Sequence, residues 1–282
     1  MAFGWVLLFL AVLTVAQRPV WRAGVPEIVI SSMATTVTIS GNIAQSLVEI
    51  HFSNPSSRQG EGNLTFPLPD GVSVNRYALD INGLFREAVP VPKDKGTQVF
   101  EALETIRVDP GLLQKAADSN SFQTRVFPIP AGGSRKILIG YQEELTMNDE
   151  GSLGYHLLSS YDSKLGSYSL QVVIKGDVKD VPQLKENGKN STLKFDSGGY
   201  VYNFSASDYQ PSKDLSVTLP NKGTLTGLLT SPDIEDSAFF YTYLDARSLV
   251  SSLVPAKLTK ARKTLGIVWD SSLSSLQRNF DK

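Results

Sequence analysis

Apolar and polar positions alternate over most of this chain, and this pattern predicts strands. Residues 27–52 are rich in strand signals, at 28–30, 36–39 and 46–52. Over 46–52, Val48, Ile50 and Phe52 alternate with the intervening residues, as in a strand with one buried face. Similar runs follow at residues 63–67, 72–81, 84–91, 136–141, 168–175, 199–205, 215–219 and 239–244. Asn82-Gly83 between two runs is typical of a hairpin turn. Many short strands separated by turns predict a sandwich or a barrel.

One stretch has a different period. Val99, Leu103 and Ile106 recur at helical spacing within residues 93–106, and Asp109-Pro110-Gly111 ends the pattern. We therefore predict a mainly β (α+β) fold. It consists of an antiparallel β-sandwich with one prominent helix, followed by a second β-rich region.

The segment after this helix contains two prolines at a predicted strand. Residues 125–130 read Arg-Val-Phe-Pro-Ile-Pro, and residues 131–133 (Ala-Gly-Gly) predict a turn. Because proline cannot donate a ladder hydrogen bond, we predict that 125–130 lie at the edge of a sheet.

Five landmarks in this part of the chain occur in a fixed order. They are Asn54-Pro55, then Phe-Pro-Leu-Pro at 66–69, Asp-Pro-Gly-Leu-Leu at 109–113, the proline-containing strand at 125–130 and Ile-Gly-Tyr-Gln-Glu-Glu-Leu at 139–145. This order resembles the VIT domain, named for vault proteins and the inter-alpha-trypsin inhibitor heavy chains. The resemblance covers about residues 36–145 and implies a fold, whereas a fold does not determine a function.

Composition narrows the classes of protein. Hydrophobic residues make up 41% of the 282 residues and charged residues 20%, as in ordinary globular proteins. With 27 basic and 28 acidic residues, charge gives no reason to expect a nucleic acid partner. The absence of cysteine excludes disulfides, thiolate metal sites and cysteine nucleophiles.

Residues 2–16 are apolar throughout. The run is shorter than the roughly 20 residues of a membrane span, and its length suits the hydrophobic part of a signal peptide. No basic residue precedes it, so a buried helix or the tail of a longer span are the alternatives. We expect an exported protein whose N-terminal segment is either cleaved or retained as a membrane anchor.

The C-terminal residues contain the clearest chemical signal. An apolar strand at 264–269 leads directly into Asp270, Ser272 and Ser274, and this resembles the opening of a von Willebrand factor A domain. In that family the motif begins a metal-ion-dependent adhesion site. The resemblance implies that Asp270 reaches a Mg²⁺ ion through water, whereas both serines ligate it directly. The motif is incomplete, and we expect Mg²⁺ to bind only in a longer chain. In the alternative interpretation, Asp270 caps a helix.

Other candidate chemistry is sparse. His51 and His156 are far apart in the sequence. His51 lies in an alternating strand, and we expect it to be a packed or surface residue and not a metal ligand. No nucleophile elbow, P-loop or zinc-protease motif is present, so we expect no catalytic residues and no enzyme, although a hydrolase hidden in the β-rich part is an alternative. The apolar positions Tyr200, Tyr202 and Phe204 predict one core face.

We therefore expect five parts in this chain. They are an apolar signal or anchor segment (1–26), a VIT-like domain (27–145), a second β-rich region packed on it (146–245), a linker with a solvated basic cluster (246–263) and the truncated start of a von Willebrand A domain (264–282). The expected function is that of a non-enzymatic interaction or adhesion-type protein. It would lie in the periplasm, on the cell surface or outside the cell, and bind a protein, matrix or surface ligand. The alternative is a structural, membrane-anchored component of a bacterial export or sorting apparatus.

Overall fold

The computed structural model describes residues 18–69, 72–81, 83–91, 112–115, 120–148, 150–161, 163–176, 180–220, 226–232 and 238–244. The strands in these residues are β1 (Val20–Ala23), β2 (Val29–Ser40), β3 (Ile43–Asn54), β4 (Gly60–Pro67), β5 (Ser73–Ile81), β6 (Leu84–Glu87), β7 (Leu112–Lys115), β8 (Ser121–Ile129), β9 (Gly133–Glu144), β10 (Leu153–Leu157), β11 (Leu165–Lys175), β12 (Gln183–Glu186), β13 (Lys189–Ser191), β14 (Lys194–Asp196), β15 (Gly199–Tyr209), β16 (Leu215–Leu219), β17 (Thr226–Pro232) and β18 (Ala238–Leu244). The prediction of a mainly β protein is confirmed.

Eight of the strands form one large sheet in the order β14-β15-β11-β2-β3-β9-β5-β6. The β11–β2 pair is parallel, whereas the other neighbours in this sheet are antiparallel. The alternation in the sequence explains which face is buried. In β2, for example, the side chains of Met33, Thr35, Val37 and Ile39 are buried, while those of the residues between them are half-buried or exposed.

Two smaller sheets cover the same face of the large sheet. The first cover sheet has the order β1-β4-β8-β7, and the second has the order β10-β16-β12-β13. Inward side chains of all three sheets belong to one hydrophobic core cluster. Tyr77 of β5 reaches Thr124 of the first cover sheet, and Ser46 of β3 reaches Tyr155 of the second. The result is a sandwich with two cover sheets side by side over one large sheet.

The large sheet runs across the predicted boundary at residue 145. Strand β11 pairs with β2 from Ser167↔Ser32 to Lys175↔Ser40, so strands from both predicted regions lie in the same sheet. Strands β17 and β18 form a separate hairpin. The division of the chain into domains stays a prediction.

Two local features depart from a simple strand pattern. The β5–β6 hairpin is confirmed by the pair Ile81↔Leu84, and Gly83 adopts a φ of +82° that glycine tolerates best. Strand β8 has β4 on one side and β7 on the other, but the β7 ladder ends at Leu112↔Arg125. Beyond that pair, residues 126–129 have β4 as their one strand partner in the described part of the chain, so Pro128 lies at a sheet edge, as predicted.

No helix occurs among the described residues, and none there could span a membrane. The predicted helix at 93–106 lies outside the described residues and stays a prediction. The same holds for the apolar segment 2–16, for the linker 246–263 and for the C-terminal motif. Tyr200, Tyr202 and Phe204 pack against the core as half-buried side chains, so the prediction of a core face is confirmed for them.

Candidate functional site

A cavity of about 40 Å³ lies where the two cover sheets meet. We call this line of contact the seam. Its floor is the inner face of β2, β3 and β9, and its walls are the ends of β4 and β10. The lining residues are Pro19, Met33, Thr35, Val48, Ile50, Phe66, Pro67, Leu68, Ile139, Tyr141, Leu157, Leu158, Ser159 and Tyr161. The cavity is thus mainly apolar, with a small number of hydroxyl groups, as is usual in ligand pockets.

Hydrogen bonds to the backbone fix both walls of the seam. On one side, the backbone N–H of Leu68 donates to the carbonyl of Asn120 (2.9 Å), and the Asn120 amide donates to the carbonyl of Val72 (2.9 Å). On the other side, the Asp214 carboxylate accepts from the N–H groups of Ser159 and Ser160, both at 3.1 Å. These bonds hold two non-strand segments in place, because their backbone groups lack a ladder partner.

A buried polar cluster borders the seam, and we call it the hydroxyl cluster. Its members are Ser46 of β3, Tyr141 of β9 and Tyr155 of β10. The Ser46 and Tyr155 hydroxyl oxygens are 2.7 Å apart, and all three side chains are at most 5% exposed. Burial raises the pKa of Tyr141 to about 12, and it also raises the pKa of Tyr155. Both tyrosines therefore stay protonated and act as hydrogen-bond donors, not as bases.

Glu143 lies next to this cluster on the inward side of β9. Burial raises the pKa of its carboxyl group to about 7, because the apolar surroundings disfavour the charged form. Its Oε1 atom is buried without a hydrogen-bond partner among the described residues. Glu143 is therefore a partly buried acid that can hold a proton close to neutral pH.

Two landmarks of the VIT resemblance have structural roles. The Asn54 side chain is fully buried, and its amide donates to the carbonyls of Arg58 (2.8 Å) and Ile129 (3.0 Å). Its Oδ1 atom accepts from the Ser56 hydroxyl at 2.6 Å. Arg135 joins two strands, since its guanidinium donates to the carbonyls of Pro128 and Asp80. These side chains hold loops and strands together and do not form a reaction centre.

The structure does not test the site predicted at the C-terminus. Asp270, Ser272 and Ser274 lie outside the described residues. Within the described part of the chain, no three His, Cys, Asp or Glu side chains form a group that could hold a metal ion. His51 contacts Glu49 at 2.6 Å, and His156 lies 3.8 Å from Asp214. The two histidines therefore sit in separate pairs, each beside one carboxylate.

The sequence reasoning missed the hydroxyl cluster, although a signal was present. Ser46 occupies an inward position of β3, and Glu143 occupies an inward position of β9. The neighbouring inward positions of both strands carry apolar residues. A polar side chain at an inward position needs a partner, because a buried polar group without a hydrogen bond costs free energy. The partner Tyr155 is 109 residues away from Ser46, and no local pattern could identify it.

Comparisons with known proteins agree with the first half of this description. Residues 30–141 match the family model described as the vault protein inter-alpha-trypsin domain, which confirms the VIT-like domain in that range. No curated protein matches the sequence.

Two solved structures show a distant similarity to the chain. A Legionella pneumophila protein described as a nutrient binding protein has 13% identity and a TM-score of 0.45, with 71% of this chain and 69% of that chain covered. The M1 zinc metallopeptidase from Deinococcus radiodurans has 10% identity and a TM-score of 0.39 over 77% of this chain. This chain spans 47% of that enzyme's length. At these values, neither similarity says anything about activity.

Proposed function

We propose that the chain is a non-enzymatic interaction protein of the adhesion type, exported or anchored to a membrane. The observation that carries this proposal is the match of residues 30–141 to the VIT domain. In this proposal the sandwich supports a von Willebrand A fold that begins at Thr264. The partner would be a protein or a surface ligand, and the predicted helix at 93–106 would belong to the VIT domain.

The chemistry of the seam supports a binding role over a catalytic one. Its polar side chains carry hydroxyls, and burial raises the pKa of the one on Tyr141 to about 12. A nucleophilic hydroxyl needs a neighbouring base that can take its proton. Glu143 has a raised pKa, and the hydroxyls that its charge influences belong to the buried Tyr141 and Tyr155. The site can therefore donate hydrogen bonds to a ligand in an apolar setting.

The export half of the proposal rests on residues 2–16. The full chain, carrying a C-terminal tag in a bacterial host, should appear outside the cytoplasm or in the membrane fraction. A chain without residues 2–16 should remain in the cytoplasm. Equal cytoplasmic retention of both forms would contradict export. The intact mass of the recovered protein then separates a cleaved segment from a retained one, and a retained segment would favour the structural, membrane-anchored alternative.

The adhesion half of the proposal rests on Asp270, Ser272 and Ser274. A carboxylate and two hydroxyls are hard oxygen ligands of the kind that Mg²⁺ prefers, but the ion normally has six ligands in a fixed geometry. Calorimetric titration of the 282-residue chain with Mg²⁺ should therefore show negligible binding. A chain continued through a complete von Willebrand A fold should bind Mg²⁺, and Asp270→Ala should abolish that binding. Tight binding by the 282-residue chain would contradict the assignment.

A further inference from the structure

The N-terminal apolar segment ends close to the seam. Pro19 is buried and lines the cavity, and only Gln17 and Arg18 separate it from Ala16. Three residues of extended chain span at most about 10 Å. The chain connection therefore allows at most that distance between Ala16 and Pro19.

Strand β1 is fixed firmly to the body of the protein. It pairs with β4 along its whole length, from Val20↔Thr65 to Ala23↔Gly62. The Trp21 ring packs on Phe52 with 4.3 Å between ring centroids, and its Nε1 donates to the carbonyl of Ile28 at 3.1 Å. Strand β1 therefore has a fixed place on the sandwich.

Glycine at position 62 makes this attachment feasible. A Cβ atom at Gly62 would lie 2.2 Å from the Trp21 ring, which is far inside van der Waals contact. The indole ring can therefore pack against β4 only because this position has no side chain.

The surface beside the seam has the composition of a membrane-proximal face. Arg18 and Arg22 are exposed, Val20 is 38% exposed, and Leu158 is half-buried at the cavity. Basic residues next to an apolar segment are attracted to anionic lipid headgroups. Apolar side chains beside them can enter the boundary between headgroups and acyl chains.

We propose that the start of β1 and the open side of the seam rest on the surface of a bilayer that contains anionic lipids. This orientation rests on the proposed function, in which residues 2–16 insert into the membrane. The occupant of this face would be the lipid surface itself, with Arg22 at the headgroups and Val20 at their boundary with the acyl chains.

The absence of cysteine in the sequence allows a direct test, because a single introduced cysteine gives a single labelling site. A fluorescent label would be placed in turn at Val20→Cys and Leu158→Cys, close to the seam. The matched control is Phe195→Cys, which is 67% exposed on β14. Strand β14 is three strands away from β2 in the large sheet, or about 14 Å at roughly 4.8 Å per strand.

The full-length protein would be reconstituted into vesicles of zwitterionic and anionic lipids that carry bromine in the upper part of the acyl chains. The labels at positions 20 and 158 should lose fluorescence, while the label at position 195 should keep it. Charge contributes as well, so Arg18→Gln with Arg22→Gln should reduce the loss at position 20. Equal quenching at all three positions, or stronger quenching at position 195, would overturn the orientation.

Flotation with the same vesicles separates this proposal from the one on which it rests. If the full-length protein floats and the protein without residues 2–16 does not, membrane association holds and the labels decide the orientation. If neither form floats, both proposals fail. If residues 2–16 fold back into the seam, the protein does not float and the label at position 158 is shielded from a soluble quencher, which also overturns the orientation.

Discussion

The two cover sheets are tied to the large sheet by hydroxyl groups, but the two ties differ in their surroundings. On the first cover sheet, Tyr77 and Thr124 form a pair with 2.5 Å between their oxygens. On the second, Ser46 and Tyr155 belong to the hydroxyl cluster with Tyr141, and Glu143 lies beside them. The first tie pairs one hydroxyl from each sheet, whereas the second is a network with a titratable neighbour. We therefore expect the two ties to respond differently to mutation and to pH.

The largest loss of stability should come from a substitution that opens a cavity in the core of the first half of the chain. Phe52 is fully buried against Trp21, so Phe52→Ala should lower the free energy of unfolding by about 3–5 kcal/mol. Leu84→Ala is the control, because Leu84 is 70% exposed and its loss should cost less than about 0.5 kcal/mol. Chemical denaturation measures both. Similar losses for the two variants would mean that the core is wrongly placed.

The next largest loss of stability should come from removing the tyrosine hydroxyl from one of the two ties. Tyr77→Phe leaves the Thr124 hydroxyl, which is 1% exposed, without its described partner and should cost about 1–3 kcal/mol. Tyr155→Phe should cost less, because Tyr141 can still bond to Ser46. The double variant with Tyr77→Phe and Thr124→Val should regain part of the loss, since no unpaired hydroxyl remains. A greater cost for Tyr155→Phe would reverse the comparison.

A smaller effect should appear as a pH dependence that only the second tie has. The Glu143 carboxyl has its pKa raised from 4.5 to about 7 in the folded protein. Between these two values the folded state holds a proton that the unfolded state has lost, so rising pH should lower stability across this window and have no further effect above it. In Glu143→Gln this contribution is absent. We therefore expect the difference in melting temperature between the wild type and Glu143→Gln (wild type minus variant) to decrease as the pH rises from about 5 to about 8. A difference that rises with pH would contradict this assignment.

The smallest effect should come from ion pairs on the surface. The Lys164 ammonium lies 2.8 Å from Asp208, and both side chains are mostly exposed. Such pairs contribute about 0.2–1 kcal/mol because water screens them. Lys164→Met should therefore leave the melting temperature almost unchanged, and a shift as large as that of Tyr77→Phe would show that this pair has a structural role.

Local patterns in the sequence predicted much of this fold but not its assembly. The period-two runs gave most of the long strands, and Asn82-Gly83 gave the β5–β6 hairpin, because both depend on residues that are close in the sequence. The parallel pairing of β11 with β2 joins residues more than a hundred positions apart, and no local signal determines it. The prolines predicted a sheet edge at 125–130, and the β7 ladder does end at Leu112↔Arg125, but no local signal identified β4 as the strand on the other side.

The candidate site was harder to predict than the fold. Ser46, Tyr141 and Tyr155 come from three strands and meet only when the second cover sheet packs on the large sheet. In the sequence, each of them is a single hydroxyl-bearing residue among apolar residues that point the same way along a strand. The C-terminal motif shows the opposite case, because Asp270, Ser272 and Ser274 are recognised from adjacent residues alone and lie outside the described residues.

The central structural claim is that the VIT-like part and the strands after it form one sheet and therefore one cooperative unit. It is tested most directly by unfolding the protein with a separate probe in each half. With Trp5→Phe and Trp269→Phe, Trp21 remains as the one tryptophan and reports on the first half. A second protein with all three tryptophans replaced and Phe195→Trp reports on the second half through β14. We expect each probe to report a single transition. The two midpoints should coincide after correction for the stability cost of each set of substitutions, which circular dichroism measures. Two transitions at separate midpoints within either protein would contradict the claim.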